Sequence, residues 1–297
     1  MQRMHFSRIP WGLLVCTGLT AYAAAADRIA KPVKDFSLKS HLGKEYSLRD
    51  FAGQKLVVVA FVGTECPLAK LYGPRLAELA AKYGPRGVAF VGIDANRQDS
   101  ISEIAAFARA SGIEFPLLKD LKNAVAGELG ATRTPEVFVL DKDRVVRYSG
   151  RIDDRSGVGY VRDKIDRDYL AAALDRLLAG KAVETAHVDA VGCLIGSARE
   201  PDAKSDVTYS RQIARIFQDH CVSCHRPGEI GPFALNDYSE AAGWADMIEE
   251  VVRAKRMPPW HADPRHGHFR NEELRPVGVG AGIRVGETSR PVELKVI

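Results

Sequence analysis

Five residues near position 221 carry the most specific chemistry in this chain: Cys221-Val222-Ser223-Cys224-His225. Two thiols three positions apart, followed at once by an imidazole, form the attachment signature of a covalently bound haem c. On one helical turn both sulfurs can reach the two vinyl groups of a porphyrin, and the histidine is brought under the ring to meet the iron. A redox C-x-x-C that happens to precede histidine, or half of a zinc site, are the competing readings. No second Cys/His pair at zinc spacing accompanies the motif.

Cys221 and Cys224 leave three of the five cysteines, Cys16, Cys66 and Cys193, for other roles. Cys16 lies in an N-terminal segment with Arg3 and Arg8, an apolar run from Trp11 to Ala21, and small residues from Ala21 to Ala26. Residues 1–26 therefore read as a secretory signal peptide, too short in its apolar part to span a membrane well. Cleavage there predicts a periplasmic or secreted protein with no integral membrane span, the compartment in which haem c is attached. It would also remove two arginines and no acids, so the formal charge of +4 would fall by two. Such a balance points to no nucleic-acid partner.

Cys66 is placed for reactivity. It directly precedes Pro67, Leu68, Tyr72, Leu76, Leu79 and Tyr83, a helical apolar pattern opened by a proline suited to the first turn. A thiol at a helix N-cap meets unpaired backbone N–H groups and the positive end of the helix dipole, both of which favour thiolate. An inert buried cysteine is the alternative. Cys193 sits in Ala190-Val191-Gly192-Cys193-Leu194-Ile195-Gly196, an apolar patch inside the otherwise polar stretch 181–207. Such a patch must pack against something. We read it as a tail that folds back and offers Cys193 to Cys66 as a resolving thiol, with an unpaired structural cysteine as the alternative.

The elements that must hold these residues alternate. Leu56 to Val62 and Val88 to Ile93 are continuous apolar runs of the kind buried on both faces of a sheet. Helices follow from Pro67 and over Ser100 to Ala110, and Val125 to Leu129 is helical. Val137 to Leu140 and Val145 to Tyr148 form a hairpin, and a helix over Asp166 to Leu178 closes the unit. The expectation is an α/β sandwich with a mixed sheet. Farther on, Ser210 caps a helix carrying Ile213, Ile216 and Phe217 into the haem motif, and a second helix spans Ser239 to about Lys255. Residues 208–270 thus make a small all-α haem domain. The tail 271–297, rich in glycine, is expected to lack regular order.

Phe61-Val62-Gly63-Thr64-Glu65-Cys66-Pro67-Leu68-Ala69 resembles the active-site turn of thioredoxin-like redoxins of the alkyl hydroperoxide reductase and thiol-specific antioxidant superfamily. Pro74 stands where thioredoxins kink their first helix, and Thr134-Pro135 where they place a cis-proline beside the active cysteine. Asp35 to Leu38 and Tyr46 to Phe51 match the hairpin that opens redoxin domains. The resemblance covers residues 27–180 and implies a thioredoxin-like fold with thiol-disulfide or peroxide chemistry at Cys66.

Three departures qualify it. Ala69 stands where the second cysteine of C-x-x-C would fall, Ala60 replaces the buried acid, and the charge of Glu65 is expected to raise the Cys66 thiol.

The segment from Tyr209 to Asp263 resembles cytochrome c modules. That resemblance implies a backbone carbonyl of Gly231-Pro232-Phe233 on Nδ1 of His225, leaving Nε2 for iron. Met257, in Arg256-Met257-Pro258, is the expected second axial ligand, with His261 as its competitor; His266 and His268 complete a histidine-rich loop. The combined expectation is an exported oxidoreductase with one covalent haem, a redox partner protein or small electron carrier, and a thiol or peroxide substrate. The alternative is an electron carrier whose redoxin domain is an inactive docking module.

Overall fold

The computed structural model describes residues 25–197, 205–254 and 256–258. Residues 1–24 of the signal-peptide reading, His261, His266, His268 and the tail 271–297 lie outside them. Its strands and helices are, in chain order, β1 (Ser37–Lys39), β2 (Glu45–Ser47), β3 (Leu56–Val62), α1 (Pro67–Tyr83), β4 (Val88–Asp94) and α2 (Ile101–Ser111). Next come β5 (Leu117–Lys119), α3 (Ala124–Leu129), β6 (Arg133–Thr134), β7 (Glu136–Leu140), β8 (Val146–Gly150), β9 (Ser156–Gly157), β10 (Tyr160–Val161) and α4 (Tyr169–Leu178). After these follow β11 (His187–Val188), β12 (Cys193–Leu194), α5 (Ala214–His220), α6 (Tyr238–Gly243) and α7 (Ala245–Arg253).

Six strands form a mixed sheet in the order β11-β8-β7-β3-β4-β5. The centre is β3, parallel to β4 and antiparallel to β7, with Val59 opposite Val91 and Phe138. Every residue of β3 is buried, which explains its unbroken apolar sequence. Alternate residues serve the two faces. Val58, Ala60 and Val62 join α1, α2 and α4 in one core, while Val57, Val59 and Phe61 pack with α3 and the N-terminal hairpin in another. This is the thioredoxin-like sandwich expected from the sequence. The last helix starts later than Asp166, because the Asp168 side chain caps it at the Ala171 amide.

The polar stretch that follows α4 does not run free. His187–Val188 adds a parallel strand to β8, and Cys193–Leu194 pairs antiparallel with Thr134–Arg133. Two glycines permit these approaches. A Cβ at Gly150 would lie 1.6 Å from the Val188 carbonyl oxygen, and one at Gly192 would lie 1.9 Å from that of Thr134. No side chain fits at either place.

Beyond residue 205 the chain builds a small helical unit around Ile213, Phe217, Leu235, Ala241, Trp244 and Ile248. Two expectations are corrected here. Thr208, not Ser210, is the cap: its hydroxyl accepts from the Arg211 amide, and the chain enters α5 through a wide turn over Tyr209–Ile213. The helix expected over 239–255 is broken at Trp244, whose backbone (φ −97°, ψ 3°) joins α6 to α7. The break lets the indole lie flat on Phe233, with ring centroids 3.9 Å apart. Among the described residues no helix is long and apolar enough to cross a membrane.

Candidate functional site

Cys66 is the N-cap residue of α1 and Pro67 occupies the first turn, so the sulfur sits at the helix start as its sequence position predicts. It is fully buried. Its thiol donates to the Thr134 carbonyl at 2.9 Å, next to the cis Thr134-Pro135 bond. Leu68, Ala69, Val191 and Cys193 complete the cluster around it. Both Cys66 and Cys193 are free thiols.

The structure therefore brings together Cys66, Pro135 and Cys193, three residues separated by up to 127 positions that sequence reasoning had grouped as one site. Burial pushes the Cys66 thiol up. Hydrogen bonds from the Cys193 thiol, the Thr134 side chain and the Ala69 backbone outweigh it and bring the thiol down to about 6. The Thr134 hydroxyl is buried and makes no other hydrogen bond, so it is available to the thiolate. Cys193 is pushed the other way, by its hydrogen bond to Cys66 and by burial. Of the pair, Cys66 is the thiolate and Cys193 the proton holder. The absorbance of thiolate in the ultraviolet should accordingly rise with a midpoint near pH 6 in a haem-free Cys221→Ala/Cys224→Ala form. A midpoint near 9 would contradict the geometry.

Glu65 does not act as expected. Burial, then the carboxylates of Glu240, Asp99 and Glu103, push it up to about 7, and Lys70 opposes them. Near neutral pH its charge is halved, and the donors around Cys66 decide the thiol's ionisation.

Sequence reasoning missed the polar loop that holds this turn. Asp99 accepts from the Thr64 amide at 2.7 Å and from the Asn96 amide group at 3.0 Å. Asn96 in turn accepts from the Gly196 amide, and the Lys119 ammonium, paired with Asp94 at 2.8 Å, binds the carbonyls of Asn96 and Asp99. A loop at the carboxyl end of a parallel strand is where such a role could have been sought. The turn before Pro135 is fixed separately, by Glu136 accepting from the amides of Thr132 and Arg133.

The haem motif follows α5. Cys221 is half-buried, Cys224 exposed, and the Cys224 and His225 amides both donate to the Cys221 carbonyl. Burial raises the Cys221 thiol to about 11. His225 Nδ1 lies 3.1 Å from the Phe233 carbonyl, as the resemblance implied, and this bond fixes the tautomer that leaves Nε2 unprotonated. Burial lowers the imidazole's proton affinity, with the Phe233 carbonyl opposing. The loop is stitched to the motif by Gly231 N–H on Cys224 O and Leu235 N–H on His225 O. A Cβ at Gly231 would lie 2.8 Å from His225 Nδ1, so only glycine fits. Spaced thiols and an imidazole tied through Nδ1 fit a covalently held haem. Met257 is exposed, past the end of α7, and is not among the residues packed in the apolar cluster around Trp244.

The two regions meet. Cys193 packs with Cys66 on one side and against the Phe217–Trp244 cluster on the other. Arg133 binds Glu250, and Ser197 donates to Asp246 at 2.6 Å.

Comparison with known proteins agrees with this division. The AhpC/TSA family profile matches residues 29–149, and that of cytochrome c oxidase, cbb3-type, subunit III, matches residues 210–267. A thiol-disulfide oxidoreductase ResA of Bacillus cereus is 31% identical over 140 residues, 44% of this chain and 78% of its own length. With ResA of Bacillus anthracis the figures are 31% over 116 residues, 39% of this chain and 65% of that protein. A hypothetical protein from Sinorhizobium meliloti 1021 superimposes with a TM-score of 0.54 and 32% identity, over 58% of this chain and 96% of its own. The chain belongs to the AhpC/TSA family of thioredoxin-like redoxins, and its redoxin domain, similar to thiol-disulfide oxidoreductases, is followed by a cbb3-type cytochrome c domain.

Proposed function

We propose that this is an exported oxidoreductase in which Cys66 attacks, Cys193 resolves, and a cytochrome c domain exchanges single electrons with another carrier. The observation that carries the reading is Cys193 packed against the buried Cys66 inside one cluster, on a strand that pairs with the turn beside it. It supplies the second cysteine that Ala69 denies to the active-site turn.

With a disulfide substrate, the Cys66 thiolate attacks one sulfur and the substrate S–S bond breaks. The departing thiolate takes a proton, and Cys66 is left in a mixed disulfide. Cys193 then gives up its proton and attacks the Cys66 sulfur, releasing the second substrate thiol. The substrate gains two electrons and two protons: the Cys66–Cys193 pair supplies both electrons and the Cys193 proton, and the second proton comes from solvent. With a hydroperoxide, Cys66 becomes a sulfenic acid as the alcohol leaves, and condensation with Cys193 releases water. An external dithiol would return the pair to its starting state by the same exchange in reverse.

In the second domain, Cys221 and Cys224 would hold the porphyrin covalently, His225 would offer Nε2 to the iron, and Met257 would be a second protein ligand. Haem c, when bound, supplies a one-electron couple. The chain's own contribution is to hold His225 neutral and oriented through the Phe233 carbonyl. A redox protein or small electron carrier is the proposed partner. The periplasm, or the exterior, is the proposed site of action, supported by the residues of the N-terminal segment.

Counting thiols in the full chain, with the haem cysteines already alkylated by the cofactor, tests the reading. Under mild oxidation both remaining thiols of the mature chain should disappear together and return with reductant. Two titratable thiols that persist would leave the electron-carrier alternative.

A further inference from the structure

Arg133 reaches in two directions from the turn beside Cys66. Its Nη1 donates to the Gly192 carbonyl at 2.8 Å, and its Nη2 to Glu250 Oε2 at 2.7 Å. The side chain is 14% exposed, so the contact is largely screened from water. Gly192 directly precedes Cys193, while Glu250 belongs to α7 of the cytochrome c domain. One guanidinium therefore touches the backbone of the resolving cysteine and the second domain at once.

The strand that carries Cys193 is held beyond it by the Ile195 amide on the Thr132 carbonyl and the Gly196 amide on Asn96, and Arg133 holds it at its Gly192 end. β12 is two residues long, forms its ladder with the two residues of β6, and is preceded by Gly192. A two-residue ladder is weak, and glycine adds backbone freedom. A charge-assisted bond to the Gly192 carbonyl, itself anchored by a carboxylate, removes that freedom. Ser197, which donates to Asp246 of the same helix, anchors the other end of the strand.

We propose that Arg133 is a positioning residue, held by Glu250 of α7, that clamps the Gly192–Cys193 backbone over Cys66, so that the docked cytochrome c domain keeps the resolving thiol in place. The inference rests on Cys66 and Cys193 being the working pair. The fork is needed because the two acceptors lie on different segments, and an ammonium has no second arm to span them. Holding one thiol over another raises its effective concentration, which sets both the rate of resolution and the stability of the disulfide formed.

The test uses the full, haem-loaded chain with Glu250→Lys, Glu250→Gln and Arg133→Lys. Each is equilibrated in a glutathione redox buffer, and the Cys66–Cys193 disulfide is quantified by mass spectrometry. Glu250→Lys and Arg133→Lys should each lower the effective concentration of Cys193 about tenfold, an upward shift of about 30 mV in the pair's potential. Glu250→Gln, whose amide oxygen still accepts from Arg133, should stay close to the parent. Alkylation of Cys193 in the reduced variants gives a second readout, expected to quicken in the same two. Unchanged potential and alkylation in Glu250→Lys, with the haem spectrum intact, would overturn the clamp while leaving the dithiol reading standing. Equal shifts in the Gln and Lys variants would overturn it too. Absence of the disulfide in the parent chain would remove both.

Discussion

Cys66→Ser is expected to lower turnover of a disulfide or hydroperoxide by on the order of a thousandfold or more, equivalent to about 4 kcal/mol of transition-state stabilisation. The serine hydroxyl would sit at the same N-cap, beneath the same Thr134 carbonyl, and nearly fill the same space. What it lacks is an anion near neutral pH. The donors that bring the Cys66 thiol down to about 6 cannot do so for an alcohol. Cys193→Ser should behave differently. Attack by Cys66 survives, the mixed disulfide or sulfenic acid accumulates, and a single burst replaces steady turnover. Stopped-flow substrate consumption with mass analysis of the trapped protein separates the two outcomes. Full turnover by Cys66→Ser would remove the redoxin chemistry altogether and leave a carrier.

Trp244→Ala is expected to destabilise the C-terminal unit by about 3–5 kcal/mol, the cost of deleting a large buried aromatic. Trp244 is 1% exposed and is the largest fully buried side chain described. It stacks on Phe233, whose carbonyl holds His225 and whose ring lies 4.7 Å from the imidazole. Its indole N–H has no hydrogen-bond partner among the described residues, so the loss is one of packing. Among the described residues six buried side chains make up that core, and a core so small has little reserve. A circular-dichroism melt of the full chain should gain an early transition accompanied by loss of the haem spectrum. Leu71→Ala, at an exposed position on α1, should leave the melt unchanged and serves as the control. A single unshifted transition in Trp244→Ala would contradict the packing argument.

Much of the redoxin fold could be read from the sequence because it is written in long, consistent signals. Leu56 to Val62 has no polar residue to disguise a strand buried on both faces, and Pro67 marks the first turn of α1. The Cys66–Cys193 contact is legible by subtraction, once the haem motif has claimed Cys221 and Cys224. Local competition between caps was not. Thr208 and Ser210 both have the chemistry, and the geometry of a wide entry turn chose between them. The break at Trp244 was hidden because Trp244 and Ile248 continue a helical spacing; stacking on Phe233 is a tertiary effect. Arg133 and Glu250 stand 117 residues apart, and an ion pair at that range leaves no periodic trace. Gly150 and Gly192 are likewise unremarkable in sequence. Only the carbonyls of Val188 and Thr134, pressed against them, show why a side chain is excluded.

The short strand β11 has a consequence for what counts as a separable piece of this protein. It caps one margin of the six-stranded sheet by pairing with β8. A chain ended after α4 would leave the Ser149 and Arg151 amides, now bonded to Ala186 and Val188, open to a neighbour at the sheet edge, the arrangement by which sheets join edge to edge into aggregates. The stretch that brings Cys193 to its partner therefore also seals the sheet. A free-standing redoxin unit must run past β11, and the same stretch of tail that closes the sheet edge leads on to Cys193.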